Sequence, residues 1–200
     1  MSDSSTIERL TAFISLLNRF RQVRRAVLVN GEDRWENDVE HSYHLAMLVW
    51  YAINSEKLPL DATKAVAYAL IHDFVEIHAG DVPLHASPEV RAGKDERERQ
   101  AALTLKADMP EFPDLHDMIE RYTAKSDSES RFVYALDKLQ PMLQIYNDGG
   151  RTWKQSGTLL SEMTAHKTDK IAVSPDVRVW YDDIVRELRA REPEFFPTEA

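Results

Sequence analysis

Residues 61–80 read DATKAVAYALIHDFVEIHAG. Ala62, Val66, Ala69 and Leu70 recur at steps of three and four, which is the period of a helix with one buried face. Asp61, just after Pro59, is placed to cap the start, and Gly80 stops the run, so the spacing predicts a helix over residues 61–80. Its small residues let neighbouring helices approach closely, which puts it at the centre of the molecule. The buried stripe leads directly to Asp73. A carboxylate inserted into a core must be paired or must ligate a metal, because an isolated buried charge is too costly.

The rest of the chain repeats the helical period. A first helix is expected over residues 5–26, with Ser4 or Ser5 as cap and Ile7, Leu10, Phe13, Ile14 and Leu17 on a buried stripe. The charged RQVRR segment closes it, and residues 31–35 form a polar turn. Asn37 or Asp38 starts a second helix that buries Leu45, Leu48, Val49 and Ala52 on its way to Ser55. Pro83, Pro88 and Gly93 make residues 81–92 a loop, followed by a charged, solvated helix, KDERERQAALTLKAD. A short helix at 114–122 precedes a long one at 128–147, which presents Phe132, Val133, Leu136, Leu139 and Leu143 and is expected to kink at Pro141. A turn at 148–150 and helices at 158–167 and 176–190 follow. Pro193 and Pro197 mark a loose acidic tail over residues 193–200. With no repeat and no long linker, the expectation is an all-α, single-domain helical bundle over residues 1–192.

Composition narrows the chemistry. Two hundred residues, 43% hydrophobic and 30% charged, are enough to bury roughly 70% of the unfolded surface in a core. No apolar run reaches the ~18 residues of a membrane helix, and the N-terminus lacks the basic start and apolar centre of a signal peptide. A cytoplasmic protein without a membrane partner is expected. The net charge of −9 disfavours extended nucleic acid, although a few converging arginines and a cation still suit one phosphate. The absence of cysteine leaves His, Asp and Glu as the only strong metal ligands. Phosphate-loop, nucleophile-elbow and HExxH signatures are missing, as are the Glu-x-x-His pairs of a di-iron bundle.

What remains is His41 in EHSYH, His72-Asp73 in ALIHDFVEI and Asp137 in YALDKLQ, each among apolar residues. A salt bridge to an arginine or to Lys138 would explain any one of them. Together, two imidazoles and two carboxylates from three helices make a mixed nitrogen and oxygen set for one six-coordinate divalent ion with open positions.

The order H…HD…D, with ENDVEHS before the first His, HDFVEIHAGDVP around the doublet and LDKL at the last Asp, resembles the HD-domain metal-dependent phosphohydrolases. The likeness runs from about residue 24 to residue 153 and is strongest to the bacterial 5'-deoxynucleotidase branch. It implies an all-helical fold, one divalent ion (Mn, Co, Fe, Zn or Mg), frequently a homodimer, and a small phosphate ester as partner. The expected reaction is release of phosphate from a deoxyribonucleoside 5'-monophosphate by water activated at the ion. Carried over by position, the metal ligands are His41, His72, Asp73 and Asp137. Glu76 is the acid/base group, four residues after His72 on one helical face, and Asp81 of the GD pair is the second catalytic carboxylate. Arg25, with Arg24 adjacent, is the phosphate ligand, and Lys138 is a further phosphate candidate. Related nucleotidases carry an aromatic residue where this chain has Ala26, a place Trp35 is a candidate to fill. Alternatives are a noncatalytic metal-stabilised helical signalling module and an HD-type nucleoside triphosphate hydrolase. His44 is expected to support the site from behind, His78 and His85 to flank Asp81, and His116 and His166 to lie on the surface. Trp50, Trp153 and Trp180 are expected in the core or a dimer contact.

Overall fold

A computed structural model describes residues 5–82 and 87–197. Helix α1 (Thr6–Phe20) starts at a capping box in which Ser5 and Glu8 satisfy each other's backbone N–H groups. It ends earlier than the period suggested. Residues Arg24–Leu28 form strand β1, paired antiparallel with β2 (Trp35–Asn37). The expectation of helix through residue 26 is therefore corrected: β-branched Val23, Val27 and Val29 favour extended backbone, and Leu28 N–H is held by Thr152 Oγ1 at 3.1 Å. The register is irregular between Arg24 and Leu28, so a bulge surrounds Arg25. The stripe of α1 is corrected as well. Leu16 and Phe20 are buried, whereas Ile7, Leu10 and Ile14 face solvent.

Helix α2 (Asp38–Ser55) packs on α3 (Ala62–Ile71). The helix expected over residues 61–80 is broken: a turn at residues 72–75 separates α3 from the short α4 (Glu76–Ala79). Burial of Phe74 against Phe20, with ring centroids 5.0 Å apart, and of Val75 in the same cluster repays the lost helical bonds, at roughly 1.5–3 kcal/mol per large apolar side chain. Pro88–Ala92 is a helical turn, α5, inside the segment expected to be loop. Then α6 (Lys94–Asp108), α7 (Pro113–Ala124) and α8 (Ser128–Asn147) follow. The long α8 continues through Pro141 and is the axis of the larger core, where Phe132, Val133, Leu136, Leu139 and Met142 meet Leu45, Val49, Tyr68 and Ala69.

The chain closes with α9 (Arg151–Ser156), α10 (Leu160–Ile171), α11 (Pro175–Ala190) and α12 (Glu192–Phe195). The expected loose tail is packed as far as Phe196, because two aromatic residues anchor it. Phe195 stacks on Tyr146 at 4.8 Å, and Phe196 stacks on Trp153 at 4.5 Å. Gly150 permits this approach: its φ is +77°, and a Cβ there would collide with the Phe195 backbone. The fold is mainly α, with one two-stranded ribbon among the described residues. No helix among the described residues is long and apolar enough to cross a membrane.

Candidate active site

His41 stands on the first turn of α2, which the local sequence fixes tightly. Asn37 Oδ1 accepts from the N–H groups of Val39 and Glu40, and Glu40 accepts from Asn37 N–H. Arg34 clasps Glu40 with two hydrogen bonds of 2.9 and 2.7 Å. His72 caps the C-terminus of α3 and opens the following turn, Asp73 comes next in that turn, and Asp137 lies in the middle of α8. From these three places one donor atom of each of His41, His72, Asp73 and Asp137 comes within 4.8 Å of the others.

The hydrogen bonds around the rings fit this set to a cation. His72 Nδ1 lies 2.8 Å from Ala69 O, and a carbonyl only accepts, so Nδ1 carries a proton and Nε2 is the nitrogen left to face the cluster. That Nε2 lies 2.9 Å from Asp73 Oδ2 and 3.6 Å from Asp137 Oδ1, with no well-formed hydrogen bond. His41 Nδ1 meets Gln140 Oε1 at 3.1 Å, while its Nε2 faces Asp137 Oδ1 at 3.0 Å. With both rings neutral and protonated on Nδ1, the Nε2 lone pairs would face carboxylate oxygens, an excess of acceptors that a divalent ion resolves. Without an ion the rings divide. For His72, burial alone lowers the pKa, but Asp73 and Asp137 overcome it and push it up to about 10. For His41, burial and Arg25 pull it down to about 4 against Asp137.

Arg25 of β1 lies across the cluster. Nη1 donates to Asp73 Oδ2 at 2.7 Å and to Asp38 Oδ1 at 3.3 Å, and Nε is 3.6 Å from Glu36 Oε2. Burial opposes its charge, yet the carboxylates raise its pKa further above the usual range. Lys138 Nζ donates to Asp137 Oδ2 at 2.6 Å, and Lys167 Nζ donates to the Lys138 carbonyl at 2.5 Å. Glu76 is buried, with Oε2 lacking a hydrogen-bond partner among the described residues, and it converges with Asp38 and Asp73. Burial first, then Asp73, Asp81 and Asp38, hold its pKa well above the carboxylate range. Asp81 is raised by burial and Asp73, against Arg25. Beside Glu76 and Asp81, a cavity of about 500 Å³ is lined by Arg19, Gln22, Arg24 and Gly80.

The structure thus gathers His41, His72, Asp73, Asp137, Glu76, Asp81, Arg25 and Lys138, with Arg24 exposed at the rim. Trp35 stays outside. It neighbours Glu36, which turns inward to Arg25, so strand alternation directs the indole to the opposite face. Glu76 also reaches the site from α4, across the break after α3, and not along one continuous helical face. His44 is exposed, 3.6 Å from Glu36, His78 pairs with Arg19 and Asp108, and His85 lies outside the described residues. Sequence reading missed Glu36, Gln140, Gln144 and Lys167, and took Asp38 only as a cap. Gln140 was accessible: it lies three residues after Asp137 and shares its helical face.

Comparison with known proteins bears on this arrangement. The HD domain family model matches residues 17–178. A bovine (Bos taurus) protein, 5'-deoxynucleotidase HDDC2, is 30% identical over 139 residues, covering 68% of this chain and 65% of that one. The yeast (Saccharomyces cerevisiae) 5'-deoxynucleotidase YGK1 is 23% identical over 195 residues, 90% of this chain and 83% of that one. A crystal structure described as a predicted metal-dependent phosphohydrolase from Magnetospirillum magnetotacticum MS-1 superposes with a TM-score of 0.76 at 30% identity, covering 94% of this chain and 96% of that one.

Proposed function

We infer, from the premise that this chain belongs to the HD-domain family, that it is a metal-dependent phosphohydrolase acting on a small nucleotide, a deoxyribonucleoside 5'-monophosphate. The observation that carries this reading is the cluster of His41, His72, Asp73 and Asp137 beside the buried Glu76 carboxyl, whose Oε2 has no hydrogen-bond partner among the described residues. Those four residues would hold one divalent ion, Mn, Co, Fe, Zn or Mg, and the two imidazole nitrogens favour the transition metals and zinc over Mg. When bound there, such an ion would supply Lewis acidity toward a phosphoryl oxygen and a lowered pKa for a water.

The remaining work falls to the chain. Arg25 and Lys138 set positive charge against the phosphate, with Arg24 at the rim. Glu76 is kept protonated by its surroundings, which suits Oε2 to protonate the ester oxygen as its bond to phosphorus breaks; the carboxylate then recovers a proton from the attacking water. Asp81 is suited to accept a hydrogen bond from the sugar. A cytoplasmic setting belongs to the same proposal. A homodimer joined through α2 is part of the same proposal, as is a single catalytic domain over residues 1–192.

Phosphate release from a panel of mono-, di- and triphosphates, each with several divalent ions, tests the reading. Wild type should act best on deoxynucleoside monophosphates. Asp73→Ala should lose metal and activity together, whereas Glu76→Gln should keep metal and fall roughly 10²-fold or more in turnover. Normal hydrolysis by both variants would overturn the assignment, and metal binding without hydrolysis of any substrate would favour a noncatalytic module.

A further inference from the structure

Behind His41 a line of hydrogen bonds runs from the ribbon through α8 to the imidazole. It begins at the Leu28 carbonyl, which can only accept. Gln144 Nε2 donates to it at 3.3 Å, which turns Gln144 Oε1 toward Gln140. Gln140 Nε2 donates to that oxygen at 2.9 Å, leaving Gln140 Oε1 to meet His41 Nδ1 at 3.1 Å. Each amide has one orientation compatible with its neighbour, so the direction of the first bond fixes the last.

We propose that Gln140 and Gln144 are positioning residues that lock His41 as its Nδ1–H tautomer and so hold the Nε2 lone pair toward the metal centre. The alternative, Nε2–H, would let the neutral ring donate to Asp137 Oδ1 across the 3.0 Å gap, which is the more comfortable state in the absence of an ion. That state would require Gln140 to reverse, its NH2 then facing Nδ1 and its oxygen facing Gln144 Oε1, acceptor against acceptor. The relay therefore forgoes a good hydrogen bond in the metal-free protein and keeps a ligand atom ready. Gln140 is buried and Gln144 is partly buried. Both border a cavity of about 590 Å³ that Glu36, His44 and Leu143 also line, so bulk water is close to the outer end of the relay but not to the ring. Orientation of this kind by a partner of the noncoordinating nitrogen typically changes metal affinity 10–100-fold on removal.

This inference rests on the metal-holding reading of the cluster, and two measurements separate their failures. The first is the ring-nitrogen NMR spectrum of the EDTA-treated full chain, which reports the His41 tautomer directly. Wild type should show a proton on Nδ1, Gln140→Leu and Gln144→Leu should shift His41 toward Nε2–H, and Gln140→Glu, which keeps an acceptor, should retain Nδ1–H. The second is calorimetric titration with Mn2+ alone. Both leucine variants should bind at least about 10-fold more weakly, and Gln140→Glu should stay within a few-fold of wild type. Wild-type Nε2–H, or leucine variants with unchanged tautomer and affinity, would overturn the proposal. A wild type that binds no Mn2+ while showing Nδ1–H would instead overturn the metal reading. Gln144→Leu, at the outer end, keeps the test available should Gln140→Leu fail to fold.

Discussion

Arg25 contacts three acidic side chains, Glu36, Asp38 and Asp73, and two of these are wholly buried. Removing one member of a buried ionic network leaves the others uncompensated, which costs about 3–5 kcal/mol. Arg25→Met should therefore lose about that much stability in urea denaturation with EDTA present, and added Mn2+ should restore part of it by supplying the missing positive charge. Full stability of the variant in EDTA would mean that the carboxylates had protonated at little cost. Asp38 is already disposed that way, since burial and Asp73 push its pKa up to about 7 despite Arg25. At this scale the clustering of His41, His72, Asp73 and Asp137 was readable, because polar residues on an apolar stripe stand out. Glu36 and Asp38 were not. An acid two residues from another acid at a helix start looks like ordinary capping, and only the folded ribbon turns both toward Arg25.

Among the elements, α8 shows how a cap and a core are joined. Asp127 Oδ1 accepts from Ser130 N–H at 2.8 Å, and Oδ2 takes bonds from Tyr68 Oη and Lys64 Nζ, each at 2.8 Å. Burial works against the ionised form, but Lys64, Ser130 and Tyr68 together bring the pKa down to about 2. A folded-state pKa below the unfolded value of about 3.9 gives stability that is complete above pH ~4 and is lost as pH falls toward 2. Asp127→Ala should cost about 1–2 kcal/mol at pH 7, with the gap to wild type narrowing between pH 4 and 2 in urea titrations. A gap independent of pH would show that the charge contributes nothing. The limits of α6 and α8 were legible, α6 from its charge pattern and α8 from its apolar period. The ribbon and the break after α3 were not: both depend on tertiary partners, Thr152 for the strand and Phe20 for Phe74, which lie far away in sequence.

Across the whole molecule, α2 buries one face and leaves the other strongly apolar. Tyr43, Met47, Trp50 and Tyr51 are 60%, 44%, 56% and 70% exposed, a composition suited to an interface. If the proposed dimer forms through this stripe, Trp50→Glu with Tyr51→Glu should give a monomer in light scattering, with metal affinity unchanged because His41 lies on the inward face. A persistent dimer would locate the contact elsewhere. The central position of α3 was expected from the sequence, but the docking of Phe195 and Phe196 was not, because the prolines around them masked an aromatic anchor.

The donor cluster has one more consequence. Its members come from α2, the end of α3 and the middle of α8, so an ion captured among them would rivet three segments that are remote along the backbone. At a free-ion level one hundred times the dissociation constant, mass action adds about 2.7 kcal/mol to the native state. Resistance to proteolysis would then rise and fall with the ion supply, making durability itself a gauge of occupancy.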